Sequence, residues 1–479
     1  MNSSRSKGGH VPVIVLASGA AFLALLDATV TNLAVPGIRR DFAPLSISDA
    51  TWVITAYAVV FAALLSPAGR LADVIGVRRL FVWGVGVFSA FSLLCTLASD
   101  IYWLVAGRAL QAVGAAAMIP ASLAILLLGV PPARRPAAVG LWSAAGSLAA
   151  AVGPALGGVL VDTVSWRVLF AINVPVGVVM CLSARVAPEG RRSAAPPDLA
   201  GAGLLAAGIA GVVLGITQAS AWGWTDVGTL GLLSGGALAA AWALARSYRH
   251  TVPAIEVGLW RNRGFTVTNL VSLLYGAGLY SWLLIGVLFL TDIWRYSELR
   301  AGLAMSPGAV SAAVAAAILG RLIGRRGPRP VVIGGALAMS LAGIWLAIGL
   351  SPTPRYLALW LPVGLLAGAG MGALAAGANA AAAVYASPTR FASAIGLNTT
   401  ARQLGGALGV AALAVIGQHQ AGHGLAPFTY VYWFSIAAVV GAAILGLRLT
   451  PPPPAAITPR AGDLEAALPG PTTSTAAAG

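Results

Sequence analysis

Fourteen apolar stretches, separated by short polar or basic segments, run through this chain. They lie near 11–35, 49–68, 80–98, 101–130, 137–161, 166–185, 200–218, 227–245, 266–290, 301–319, 330–350, 356–383, 392–417 and 429–448. A helix rising about 1.5 Å per residue needs about 20 apolar residues to cross about 30 Å of hydrocarbon, so each stretch has the length of a bilayer span. In lipid the backbone must satisfy its own hydrogen bonds, which selects helices over open strands. Composition agrees: 58% of the 479 residues are hydrophobic and 9% charged, and mean hydropathy is +0.86, against the ~25% charged share of a soluble domain. The expected fold class is an all-α polytopic membrane protein. The Gly/Ala-rich pair at 200–245 is the weakest of the spans, and without it twelve remain.

Several function classes fall away. Cys95 and Cys181 both lie in apolar stretches without metal-ligand spacing, so no disulfide framework or zinc site is expected. The net charge of +15 sits in short inter-span segments rather than on a soluble basic face, which speaks against nucleic acid. The first apolar run continues past Asp27 to Pro36, longer than the core of a cleaved signal peptide, and reads as an uncleaved first span. No GxxxxGK[ST] loop points to an ATP-driven pump. No catalytic constellation, metal site or cofactor is expected.

The basic residues are distributed unevenly. With the amino terminus on the cytoplasmic side, 21 of the 29 Lys and Arg residues fall in inside segments, while only Arg39, Arg40, Arg295, Arg300 and Arg355 fall outside. Arg108, Arg167 and Arg402 lie within or at the edge of spans. The positive-inside rule then puts both termini in the cytoplasm. One wrongly split span would scramble the asymmetry, so the count of fourteen gains support from it.

A short motif occurs twice. Gly69-Arg70-Leu71-Ala72-Asp73-Val74-Ile75-Gly76-Val77-Arg78-Arg79 follows the second span, and 251 positions further on Gly320-Arg321-Leu322 opens a related loop, GRLIGRRGPRP, after the tenth. Two homologous six-span halves with two spans inserted between them fit this spacing. The expected organisation is a cytoplasmic segment 1–10, a first bundle 11–185, a linker with two extra spans 186–264, a second bundle 265–449 and a disordered cytoplasmic tail 450–479. Internal repeats of this kind characterise secondary transporters, whose binding site lies near the midplane between the halves.

Ionisable groups inside spans are costly unless neutralised, paired or hydrated, and so mark function. Asp27 and Arg108 are each about 7 or 8 residues from the outer end of their spans, roughly 10–12 Å deep at about 1.5 Å per residue. Equal depth permits contact. Asp27 is either a proton-exchanging or substrate-sensing carboxyl, or a structural acid bonded to Thr31 or Asn32. Arg108 either holds Asp27 ionised or forms a fixed clamp with Gln111. Arg402 and Gln403 offer polar groups from the second half, or a helix contact. Asp292, beside Arg295 and Glu298, reads as a loop charge.

Gly153-Pro154-Ala155-Leu156-Gly157-Gly158 places a proline between glycines in the fifth span, where it removes a backbone donor and predicts a bend. Asp73 has two readings, an acceptor for a neighbouring helix N-terminus or a solvated partner of Arg78 or Arg79.

With these motifs in hand, the chain resembles the major facilitator superfamily, and within it the fourteen-helix drug/proton antiporter branch (EmrB/QacA type), over roughly 11–448. LLDATVTNLAVP resembles the signature of the first span, which implies functional positions for Asp27 and Asn32. GRLADVIGVRR is similar to the hinge motif, implying gating roles for Gly69, Asp73, Gly76 and Arg78, with Arg79 beside them. RALQAVGAAAMIP resembles the motif whose arginine is linked to proton transfer, here Arg108 with Gln111. GSLAAAVGPALGG resembles the antiporter motif, here Gly153, Pro154, Gly157 and Gly158, and WRVLFAINVPVG, with Trp166, Arg167, Asn173 and Pro175, also looks like this branch.

The departures are Val74, Val77, Ala112 and Ala149 at positions usually basic or glycine, and Gly324 where an acid would stand in the second hinge. They imply a cytoplasmic latch that is weaker or rests mainly on Arg78 and Arg79. The resemblance implies proton-driven efflux of hydrophobic drugs, antibiotics or toxic metabolites across the cytoplasmic membrane by a monomer, with no organic cofactor. The alternatives are a dedicated exporter of one self-made metabolite and, from another class, a passive channel or a sensor.

Overall fold

In the computed structural model of the chain, residues 10–190, 197–419 and 424–449 are described. The segments 1–9, with Arg5 and Lys7, 191–196, with Arg191 and Arg192, and the tail 450–479 lie outside the described residues.

The described elements are helices: α1 (Val11–Asp41), α2 (Ile47–Ile75), α3 (Val77–Thr96), α4 (Ile101–Gly129), α5 (Arg135–Thr163), α6 (Val168–Ala171), α7 (Asn173–Ser183) and α8 (Leu199–Trp222). They continue with α9 (Val227–Ser247), α10 (Val257–Trp260), α11 (Arg263–Leu288), α12 (Glu298–Arg326), α13 (Arg329–Gly349), α14 (Leu361–Val384), α15 (Phe391–His419) and α16 (Ala426–Gly446). Fourteen helical spans among them are long and apolar enough to cross a membrane, including the pair at 199–247. Side chains close several helix starts: Asp100 accepts the N–H of Trp103, Ser297 that of Arg300 and Asp226 that of Gly228, each satisfying an N–H that the first helical turn leaves free.

One sequence expectation is corrected by the structure. The repeated motif is not a loop: α2 continues through Gly69 to Ile75 and α12 through Gly320 to Arg326. Glycine alone does not stop a helix that gains packing along its length, and the chain breaks only where it takes a left-handed turn, at Gly76 (φ 105°) and Gly327 (φ 75°), conformations open to glycine at little cost. The sixth span holds as one helical span, Val168–Val186: Ile172, between α6 and α7, keeps helical dihedrals, and Pro175 lacks only the N–H that would reach the carbonyl of Ala171, four residues back.

The first half packs α1 to α5 and α7 around Leu65, Phe81, Phe88 and Met118. The second packs α11 to α16 around Tyr275, Trp282, Phe289, Trp360 and Tyr432. The halves meet along two seams, α5 against α12 and α2 against α15. Helices α8 and α9 form a hairpin whose backbones approach at Gly208 and Gly236, where an added Cβ would lie 2.8 Å from the facing carbonyl. Leu205 and Ile209 of α8 share a cluster with Val59, Ala62 and Ala63 of α2 and with Leu404 and Ala407 of α15. The inserted hairpin therefore covers the α2/α15 seam. Its outer helix presents Leu238 and Trp242 outward, 70% and 68% exposed.

Candidate functional site

Asp27 and Arg108 are brought together deep in the first half. Arg108 donates from Nη1 to Asp27 Oδ2 at 2.6 Å and to Gln111 Oε1 at 2.6 Å, and from Nε to the carbonyl of Val53 at 3.3 Å. The two ionic side chains are 1% and 0% exposed. Gln111 is one turn along α4 from Arg108, a spacing that puts both on one helix face, and its Nε2 donates to Asp27 Oδ1 (2.9 Å) and Ser92 Oγ (2.7 Å).

Asn173 completes the cluster, donating to the same Asp27 oxygen at 2.8 Å and to Ser92 Oγ at 3.3 Å. The guanidinium lies 4.1 Å from the centroid of the Tyr57 ring and 5.4 Å from that of Phe170, a cation–π setting that suits a desolvated arginine. One carboxylate thus accepts three donors from two other helices while the cation rests between aromatic faces. Both charges are compensated, as burial requires. Beside Asp27 and Asn173, a void of about 10 Å³ is otherwise walled by aliphatic residues, among them Leu156 and Leu169, near the lower limit for one water molecule.

The bland alternative for Asp27, bonding to Thr31 or Asn32, is not what the side chain does. The Thr31 hydroxyl donates to the backbone carbonyl of Asp27, and Asn32 is exposed and donates to the Thr29 carbonyl at 3.4 Å. In the sequence Asn173 stands out only as part of a motif. Its signal is an amide inside an apolar span two residues before a proline, where α7 begins.

The second half holds its own polar group. Gln403 accepts the Tyr280 hydroxyl at 2.6 Å, and Asn398 donates to Ser272 at 2.7 Å. The half-buried Arg402 side chain has no ion pair or hydrogen bond among the described residues. Asp292 is exposed, next to the Thr291 hydroxyl.

The glycines of the fifth span fit α5 against two neighbours. A Cβ at Gly157 would lie 2.9 Å from Leu33 of α1, and one at Gly158 2.8 Å from Leu299 of α12. Helix α5 runs through Pro154 without interruption. In the turn before that proline, the Ala151 carbonyl accepts Ser306 Oγ from α12 at 2.9 Å.

At the end of the molecule carrying the repeated motif, both seams are closed by backbone-to-backbone approach. A Cβ on Gly396 of α15 would lie 3.2 Å from Gly69 Cα, and one on Gly320 3.0 Å from Gly140 Cα. Asp73 accepts the N–H groups of Ala392 (3.1 Å) and Ser393 (2.7 Å), in the first turn of α15. Arg78 instead faces Glu189, in the segment that follows the first bundle, at 3.7 Å, and Arg79 is exposed. The contact between halves is therefore made by Asp73 and not by the arginine pair.

A family model described as Major Facilitator Superfamily matches residues 17–258 and 268–476. The puromycin resistance protein pur8 of Streptomyces alboniger is 36% identical over 453 residues, covering 90% of this chain and 88% of that protein. The tetracenomycin C resistance and export protein of Streptomyces glaucescens is 30% identical, covering 86% and 77%. The multidrug resistance protein Stp of Mycobacterium tuberculosis is 30% identical, covering 82% and 73%. Among solved structures, the human organic anion transporter MFSD10 (TETRAN) superposes with a TM-score of 0.65 over 91% of this chain and 99% of that one. Its 16% identity supports the shared fold alone.

Proposed function

The chain belongs to the major facilitator superfamily, and from that membership we propose that it is an efflux pump exchanging protons for hydrophobic drugs, antibiotics or toxic metabolites across the cytoplasmic membrane. The observation that carries the coupling is the buried Asp27–Arg108 pair. A carboxylate in hydrocarbon persists only with its partners, so a proton arriving at Asp27 removes the charge that Arg108 neutralises. Leaving one member of a buried pair uncompensated costs about 3–5 kcal/mol. That is enough to drive rearrangement among the helices that supply the donors, α4 and α7. Proton uptake is thereby linked to a change of shape.

The arginine asymmetry supports an orientation with the Gly69–Arg79 end in the cytoplasm and both termini inside. The closed seams at that end then describe a conformation shut towards the cytoplasm. No resident cofactor is needed, the proton gradient supplying the energy, and the working unit is taken to be the monomer in the lipid bilayer. The relatives named for resistance to, or export of, single antibiotics favour a second reading of narrower scope, a dedicated exporter of one self-made metabolite.

Expression in a bacterial host stripped of its own pumps, challenged with a panel of antibiotics, tests the reading. Raised tolerance to several chemically unrelated compounds, abolished by an uncoupler, is expected. Protection against one compound selects the dedicated exporter, flux that survives the uncoupler a channel, and absence of flux a sensor.

A further inference from the structure

Glu256 lies in the segment joining the inserted hairpin to the second half, and each of its carboxylate oxygens takes an arginine from a different half. Oε2 is 3.1 Å from Arg70 Nη1 on α2, and Oε1 is 3.5 Å from Arg390 Nη2, immediately before α15. The Arg70 and Glu256 side chains are 15% and 10% exposed, so bulk water screens that arm less than a surface pair, while Arg390, 42% exposed, makes the weaker arm. Arg70 Nε also donates to the Pro253 carbonyl at 2.9 Å. The same segment is tied back to the hairpin: Asp198 N–H donates to the Val252 carbonyl and Ile255 N–H to Ser247 Oγ, both at 3.2 Å.

The two cations, 3.1 and 3.5 Å from the two oxygens of one carboxylate, share a single counter-ion. Without the acid they repel across the seam that Gly69 and Gly396 close. In the second copy of the motif Arg321, the counterpart of Arg70, is exposed and has no ion pair among the described residues. This device therefore serves the α2/α15 seam.

We propose that Glu256 is a positioning residue of the cytoplasmic gate, the shared counter-ion that lets Arg70 of the first half and Arg390 of the second come together, so that the inserted segment sets how readily the pump opens to the cytoplasm. This rests on the alternating-access reading above. Opening towards substrate must separate Arg70 from Arg390 and break at least one arm of the bridge. Loss of the acid weakens the closed state twice over, by removing attraction and by exposing repulsion.

The experiment is a distance measurement between spin labels in the full-length protein in lipid nanodiscs. Labels are attached at Ser183→Cys and Arg448→Cys, exposed positions at the cytoplasmic ends of the two halves, in a Cys181→Ser background. The expected order of the long-distance, cytoplasm-open population is parent, then Arg390→Gln, then Glu256→Gln, with a several-fold rise in the last. Arg390→Gln opens less because it removes the repulsion along with the bridge. Glu256→Asp should stay near the parent, and the reversed set Glu256→Arg, Arg70→Glu, Arg390→Glu should close again.

Equal opening in Glu256→Gln and Arg390→Gln, or a distribution unchanged in both, overturns the counter-ion role. Should Glu256→Gln not fold, closure regained by the reversed set decides for the proposal and failure to regain it decides against. A parent with a single population at every pH and substrate concentration would instead sink alternating access, an outcome separate from the gate.

Discussion

The carboxylate of Asp73, on α2, accepts the backbone N–H of Ser393, in the first turn of α15, at 2.7 Å. An acid from one half thus caps a helix of the other, where free N–H groups and the helix dipole favour negative charge. At the corresponding place in the second copy stands Gly324, 3.7 Å from the nearest atoms of Pro136 if given a Cβ. The copies share the glycine contact and differ in chemistry, so at this end of the molecule the α2/α15 seam carries an electrostatic latch that the α5/α12 seam lacks at Gly324.

Asp73→Asn keeps the size of the side chain and removes its charge. A charged partner at a partly buried helix N-terminus contributes up to ~2 kcal/mol, so we expect the cytoplasm-closed population to fall by roughly five- to thirty-fold relative to the open one. Solvent labelling of a cysteine placed on the cytoplasmic side reads this directly. An unchanged labelling rate removes Asp73 from the latch.

Asp27→Asn should abolish substrate-driven proton flux in proteoliposomes. It should also lower thermal stability, because Arg108 is left charged and buried at a cost of about 3–5 kcal/mol. Asp27→Asn with Arg108→Gln removes both charges, and is expected to regain most of that stability while flux stays absent. If flux survives in either variant, another acid carries the proton.

The closely approaching glycines predict a steep size limit. Gly320→Val puts branched carbons where even a Cβ lies 2.8 Å from the Pro136 carbonyl, 3.0 Å from Gly140 Cα and 3.2 Å from Ala137 Cα; all three neighbours are backbone, so the seam must part. We expect loss of drug tolerance at near-normal membrane abundance. Gly334→Ala, on the exposed face of α13 with nothing within 4 Å of the new Cβ, is the control. It should be neutral, or stabilising by up to about 1 kcal/mol through helix propensity.

The span count was legible because lipid imposes a length on every apolar run, and the two glycine hinges because a repeat keeps its register: Gly69 and Gly76 recur as Gly320 and Gly327. Matching depth permitted contact between Asp27 and Arg108, and the folded chain makes it. Asn173 was harder to read, since an amide in a span has many possible partners and its reach depends on how α7 packs against α1 and α3. Glu256 was invisible, being a single acid in a linker whose partners lie 186 and 134 positions away and meet only when both halves and the inserted hairpin are assembled.

Asp198, just outside the membrane-spanning part of α8, gives a pH test of how the hairpin is anchored. Burial pushes its carboxyl up, but the Gly201 N–H and Arg246, which donates to Oδ1 at 2.8 Å and Oδ2 at 3.0 Å, outweigh that and hold it below the usual carboxylate value. A carboxyl depressed in the folded state adds stability above its unfolded pKa, about 3.9, and loses it as the pH falls through the lower folded value. Unfolding followed by tryptophan fluorescence in detergent should therefore show this contribution intact from neutral pH down to about pH 5, and lost below about pH 4. Asp198→Asn should be less stable at neutral pH by about 1–2 kcal/mol, the loss of a charged cap and its arginine. It should also show a smaller stability decrease than the parent on acidification. An identical acid dependence in parent and variant would mean that the hairpin is held by its glycine packing alone.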